Sequence, residues 1–339
     1  MKRRELKTLF LVLTLTGTLL LPGCGSPAST SSSTDTGSSV ETQSSKTESA
    51  SESTGNKKLV VGVSMNTLAN PFFVDVKEGV EKAASELDIE LYITDAQDDA
   101  TIQMKDIENL ITKKPDIIII DTCDSDAIVS SVEDCNQAGI PVFTMDRESN
   151  GGDVVSHLGY DAIKSGRMAG QFLADTLGGK GNIVEIQGIM GANTAQNRST
   201  GFNEIISKYP DMKIVACQVA DFDRSKGMSV MENILQANPK IDGLYCANDE
   251  MLLGALEAIE AAGRRDEIVM IGCDAIDDAL EALRAGRIDG TIAEPPFFLG
   301  KEMIYTAYNY VQGKDIDPYV ILENNLVTKD NVDTIVTKE

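Results

Sequence analysis

KLVVGVSMNTLANPFF, residues 58–73, sets an apolar run, a polar turn and a pair of aromatics one after another. Lys58 to Met65 has the continuous apolar character of a strand covered on both faces, as in a parallel sheet. Asn70 and Pro71 then supply a capping side chain and the residue favoured at a first helical position, so a helix to about Leu87 follows. Phe72 and Phe73 therefore stand at the carboxyl end of a strand. In open α/β sheets that edge is where ligands bind, and Asn66, Asn70, Phe72 and Phe73 offer amides beside flat apolar faces. Paired phenylalanines opening a helix also serve as ordinary core, and on the sequence both readings stand.

The same alternation runs outward from this stretch. Strand-like Ile89 to Thr94 and Ile117 to Asp121 flank a helical Ile102 to Thr112, and Ile140 to Met145 follows. Next come helix 162–177, strand 182–187, helix 198–208, strand 213–219, helix 225–237, strand 243–247, helix 250–262, strand 268–273 and helix 275–285. Strands separated by amphipathic helices make an α/β fold with parallel sheets. About a dozen strands are too many for one compact sheet, so the expectation is two doubly wound parallel-sheet lobes, divided near Gly159 to Ala162.

The chain has 339 residues, 42 % of them apolar, enough for a sizeable core. Its start, MKRRELK followed by apolar Leu9 to Leu21, reads as a signal peptide over residues 1–23. Leu21-Pro22-Gly23-Cys24 resembles the lipobox of bacterial lipoproteins, which implies lipidation of Cys24; an ordinary secretory signal with a chance cysteine is the alternative. Residues 24–57 are then a lipid-bearing cysteine and a Ser/Thr-rich tether, too polar to bury a core and reaching roughly 30 Å as a random coil. Residues 1–23 carry four basic side chains and one acidic one, so their removal takes the net charge from −23 to −26. Such an acidic chain repels phosphate backbones and anionic headgroups, which disfavours nucleic acid and charge-driven membrane binding, so no nucleic-acid partner is expected and a lipid anchor would hold it instead. The five cysteines after Cys24 show no paired short spacing, so neither a disulfide framework nor a zinc site is expected.

Polar residues gather just after the strands: Asp146-Arg147, Asp221-Phe222-Asp223-Arg224, Asn248-Asp249 and Asp274, with Glu294 after the short run 290–293. Carboxylates, amides and guanidiniums converging on one sheet edge suit a ligand rich in neutral hydroxyls, with Phe72, Phe73 and Phe222 on its apolar faces. Taken singly, an aspartate after a strand is as readily a helix cap, and Asp249 reads mainly as one.

Eight stretches resemble, in order, the ribose-binding protein group of sugar receptors that serve ABC importers. They are NTLANPFF (66–73), DSDA (124–127), MDRES (145–149), VVSHLGYD (154–161), EIQGIMG (185–191), ADFDRSKG (220–227), ANDEMLLGALEAI (247–259) and TIAEPP (291–296). Matched residue by residue, the resemblance implies ligand contacts at Asn66, Asn70, Phe72, Phe73, Asp146 and Arg147, and at Arg198, Phe222, Asn248 and Asp274. Two positions depart from the ribose pattern: Cys273 stands where an aromatic is usual, which would thin one wall, and Glu294 stands for a glutamine. A carboxylate accepts without donating, so Glu294 would favour a ligand offering hydroxyl or ammonium protons.

The resemblance further implies three crossings between lobes, near 160–162, 294–296 and 322–324. One lobe then comprises 58–160 plus 295–322 and the other 161–294 plus 323–339. It implies hinge closure over a monosaccharide, a partnership with the importer's permease subunits, a monomer and no cofactor. An enzyme is the first rival. His157, the one histidine, sits inside a strand-like segment, and no nucleophile elbow, phosphate loop, zinc motif or dinucleotide fingerprint occurs. A sugar-responsive repressor would need an amino-terminal helix-turn-helix. A receptor that signals to a membrane kinase or chemoreceptor is the remaining alternative, and the sequence does not separate it from transport.

Overall fold

The computed structural model describes residues 58–339, so the signal segment, Cys24 and the tether lie outside the described residues. β1 (Val60–Met65) leads into α1 (Pro71–Glu86), with Asn70 Oδ1 accepting from the Phe72 amide at 2.9 Å. Asn70 and Pro71 thus start the helix as their chemistry dictates. β2 (Glu90–Asp95), α2 (Ala100–Thr112), β3 (Ile117–Ile120), α3 (Val129–Gln137), β4 (Val142–Met145) and β5 (Val154–Tyr160) follow. The four isoleucines of β3 are all fully buried, because helices cover both faces of the sheet. Trimming one of them to valine would cost about 1 kcal/mol.

The chain then continues through α4 (Ala162–Thr176), β6 (Lys180–Gln187), α5 (Asn193–Ile206), β7 (Asp211–Val219), α6 (Arg224–Ala237) and β8 (Gly243–Cys246). After these come α7 (Asp249–Ala261), β9 (Val269–Asp274), α8 (Asp277–Arg284), β10 (Gly290–Ala293), α9 (Pro296–Val311), β11 (Tyr319–Leu322) and β12 (Asn325–Val327). One sheet has the order β11-β5-β4-β3-β1-β2 and the other β12-β10-β9-β8-β6-β7. Every pairing is parallel except β10 with β12. The expected pair of doubly wound α/β lobes is therefore present. The chain passes between sheets three times: from β5 into α4, from β10 into α9, and from β11 into β12.

Helices pack in pairs through glycines. A β-carbon added at Gly79 of α1 would run into the Phe297 carbonyl of α9, and one at Gly300 into that of Val76. Gly166 of α4 meets the Arg198 carbonyl while Gly201 meets that of Ile163, and Gly227 and Gly254 do the same for α6 and α7. Backbones touch at these three crossings with no side chain between them.

Several elements differ from the sequence reading. α5 begins at Asn193 rather than Arg198, with no side-chain cap to mark its start. α3, α9, β11 and β12 are absent from the sequence reading; the two strands are short and partly exposed, and β11 pairs with distant β5. The cap of α7 is Asn248, which accepts from the Met251 amide at 2.9 Å, and not Asp249. Asp249 instead receives the Ala275 and Ile276 amides and the Thr291 hydroxyl, tying α7 to the end of β9 and to β10. The cysteines after residue 57 are unpaired, and all but Cys217 are buried.

Candidate ligand-binding cleft

The carboxyl ends of both sheets face each other, and the lobes meet directly. The Ser125 amide donates to the Gly191 carbonyl at 3.0 Å, and the Glu148 amide to Asn193 Oδ1 at 3.2 Å. Between them lies a narrow cleft of only about 20 Å³, as expected of lobes drawn close together. Its walls are Asn70, Phe72, Phe73, Asp146 and Arg147 from one lobe, and Thr194, Arg198, Phe222, Asn248 and Asp274 from the other.

Sharp turns after the strands aim these side chains. Asp146, Phe222 and Asp274 all have positive φ, at 56°, 59° and 121°. For a phenylalanine this is an outlier that only a well-supported fold maintains, and such strain concentrates at functional sites.

The two arginines are held differently. The Arg147 guanidinium lies 5.2 Å from the ring centres of both Phe73 and Phe222, one from each lobe. It donates to the Thr122 carbonyl at 3.3 Å and has Asp146 at 3.7 Å and Asp98 at 3.9 Å, both longer than direct hydrogen bonds. Arg198 donates to the Ala247 carbonyl at 2.7 Å, to Asp274 at 3.3 Å and, in a very close pair, to Glu294. Both arginines are buried, and in each the Nε–H has no hydrogen-bond partner among the described residues. Burial raises the pKa of Asp146 and of Asp274 against the pull of these guanidiniums. A buried donor without an acceptor is costly, so both Nε–H groups carry an unmet cost in the fold as it stands.

Phe72 and Phe73, packed edge to face at 5.0 Å, both line the cleft and belong to the core, so the two readings of that pair coincide. Three residues expected at the ligand are set back from the lining. Asn66 is fully buried, with its Oδ1 accepting from the Thr67 amide and its Nδ2 unpartnered. Cys273 is fully buried behind Arg198. Glu294 is also buried, and both of its oxygens face protein donors: Arg198, Ser165 and Asn324. Its acceptor capacity is thus engaged within the protein.

Cys273, Asp274 and Glu294 bring ligand-type atoms within 4.8 Å of one another, but the cation among them is the Arg198 guanidinium. His157 is a wall of the fold, its Nδ1 2.9 Å from Thr144 Oγ1 and its ring against Tyr319. Thr194 was not foreseen. It lies four residues before Arg198, one helical turn away on the same face, so that spacing would have found it had α5 been started earlier. Asp121, at the end of β3, was missed too: it is buried beside Arg147 and neither carboxylate oxygen has a hydrogen-bond partner among the described residues.

A family model for the periplasmic binding protein domain matches residues 61–315. The chain belongs to the periplasmic binding proteins. This binding protein is 40 % identical over 276 residues to the ribose import binding protein of Bacillus subtilis, covering 81 % of the chain and 89 % of that relative. Its fold matches an ABC transporter solute binding protein from Bacillus halodurans with bound myo-inositol, at a TM-score of 0.79 and 33 % identity over 83 % of this chain and 98 % of that one. A periplasmic solute binding protein from Actinobacillus succinogenes with bound D-allose matches at a TM-score of 0.78 and 30 % identity, covering 82 % and 100 %.

Proposed function

We propose that this binding protein is the extracytoplasmic receptor of an ABC importer for a monosaccharide or a cyclic polyol of similar size. The observation that carries the reading is the cleft itself: two lobes contribute aromatic faces, carboxylate acceptors and two buried guanidiniums with free Nε–H donors around a small volume. Neutral hydroxyls satisfy such donors and acceptors together, and ring C–H faces pack on phenylalanine. Both guanidiniums already have carboxylates facing them, so the cleft holds no spare positive charge for an anionic sugar. The named ligands of the relatives, ribose, myo-inositol and allose, are all small and neutral, which supports this class.

The direct contacts in this reading are Asn70, Phe72, Phe73, Asp146, Arg147, Thr194, Arg198, Phe222, Asn248 and Asp274, with Asn66, Cys273 and Glu294 acting from behind. The protein binds its ligand and releases it unchanged. Lipid on Cys24 and the tether to residue 57 hold the folded part near the permease. A thermal-shift panel of pentoses, hexoses, cyclic polyols, amino sugars and uronic acids on the full chain tests the assignment, because a ligand selective for the folded state raises its melting temperature. A shift from at least one neutral sugar or polyol, and none from uronic acids, is expected. No shift from any neutral compound would sink the reading.

A further inference from the structure

We propose that Asn324, Glu294 and Ser165 form a junction that ties the three crossings between the lobes to Arg198, so that lobe angle and guanidinium position are set together. The proposal rests on the cleft being the ligand site. Each member comes from a different crossing: Ser165 from the first turn of α4, Glu294 from the step after β10, and Asn324 from the step between β11 and β12. All three are buried. Asn324 Nδ2 lies 2.6 Å from Ser165 Oγ, 3.0 Å from Glu294 Oε1 and 3.3 Å from the Asp161 carbonyl. Ser165 Oγ accepts from Asn324 and donates in turn to Glu294. A further bond, from Tyr160 Oη to the Pro295 carbonyl at 2.8 Å, joins the first two crossings on their other side.

Glu294 is the link between this junction and the cleft. Its Oε1 faces the crossings, and its Oε2 accepts from Arg198, whose guanidinium lines the ligand site. Rotation of the lobes changes the spacing of the crossings. Two amide hydrogens serving three acceptors cannot keep their geometry while those acceptors separate. Any donor that Glu294 loses or gains alters its hold on Arg198, because a buried carboxylate left short of donors is costly. The close contact of Gly166 with the Arg198 carbonyl keeps α4 and α5 from absorbing the change. A glutamine at 294 would have one acceptor oxygen, able to serve either the crossings or Arg198 but not both.

The variants Asn324→Ala and Glu294→Gln test this in the full chain, first without ligand. Lobe orientation is read from residual dipolar couplings, and the Arg198 Nε–H resonance from NMR. Both variants should change the lobe orientation, and Asn324→Ala should also shift the Arg198 resonance, although Asn324 does not touch Arg198. With D-ribose as probe, both should weaken binding by about tenfold, the effect of one lost hydrogen bond. Wild-type lobe orientation together with an unmoved Arg198 resonance would overturn the proposal, as would a lowered melting temperature that leaves both unchanged. If Asn324→Ala does not fold, Ser165→Ala cuts the same chain of bonds and is read in the same way. Failure of D-ribose and every other sugar to bind the wild type would count against the cleft as ligand site, whereas the ligand-free measurements still decide the junction.

Discussion

The two lobes are close topological copies: shifting each number in β5-β4-β3-β1-β2 by five gives β10-β9-β8-β6-β7. Their contributions to the cleft are nonetheless unlike. The β1–β5 lobe offers Arg147 between two aromatic rings with only loose carboxylate neighbours, whereas the β6–β10 lobe locks Arg198 between Glu294 and Asp274. The same strand order thus yields one cation held mainly between aromatic rings and one held by carboxylates. What separates them lies in the turns after the strands and in residues borrowed from the crossings, not in the sheets.

The sharpest way to break this comparison is to remove each cation in turn. Arg198→Met leaves two buried carboxylates facing no positive charge, and should lower unfolding stability by about 3–5 kcal/mol in urea titrations at pH 7. Arg147→Met keeps an apolar side chain between Phe73 and Phe222 and loses two cation–π contacts, about 1–2 kcal/mol, while burial already biases the neighbouring Asp121 and Asp146 toward their neutral forms. Equal losses would erase the distinction between the arginines.

Titration gives the next largest contrast. Burial lowers the His157 pKa in β5 to about 4, so its neutral form is favoured in the fold. The stability this confers is complete above the unfolded value near 6.5 and is lost as pH falls through about 4, a drop of about 3 kcal/mol across that window. In the other lobe burial raises Asp249 to about 7, tempered by the Thr291 hydroxyl and the amides of Ala275 and Ile276. That contribution has the opposite sign: it is present below about pH 4 and lost as pH rises through 7. Hydrogen exchange between pH 4 and 6.5, corrected for intrinsic rates, should therefore show opening become easier around β5 on acidification and harder around α7. Because His157 is the chain's one histidine, its NMR titration midpoint is an unambiguous check, and a midpoint near 6.5 would refute its burial as a neutral group. A smaller effect is expected at the junction: Tyr160→Phe removes the bond to Pro295 and should cost about 1 kcal/mol in the same urea assay.

Much of this was legible in the sequence where the governing interactions are local. The β3 isoleucines announce a covered strand, Asn70-Pro71 announces a helix start, and Asp146, Arg147, Phe222, Asn248 and Asp274 sit where strand ends must converge. Legibility fails where the partner is distant. β11 is a strand because Tyr319 pairs with His157, and nothing within four half-exposed residues says so. The resemblance flagged Glu294 as a departure, but the donors that occupy its oxygens come from residues 165, 198 and 324, which only the folded chain brings together. Thr194 was hidden by a helix that starts without a capping side chain.

The glycine contacts between paired helices bear on how closure is transmitted. Where backbones touch there are no intervening side chains to change rotamer, and helices so joined have no slack along their shared face. Each lobe then answers a push at the cleft as one stiff lever arm. Strain at the cleft therefore passes between these paired helices through backbone, where no rotamer change can absorb it.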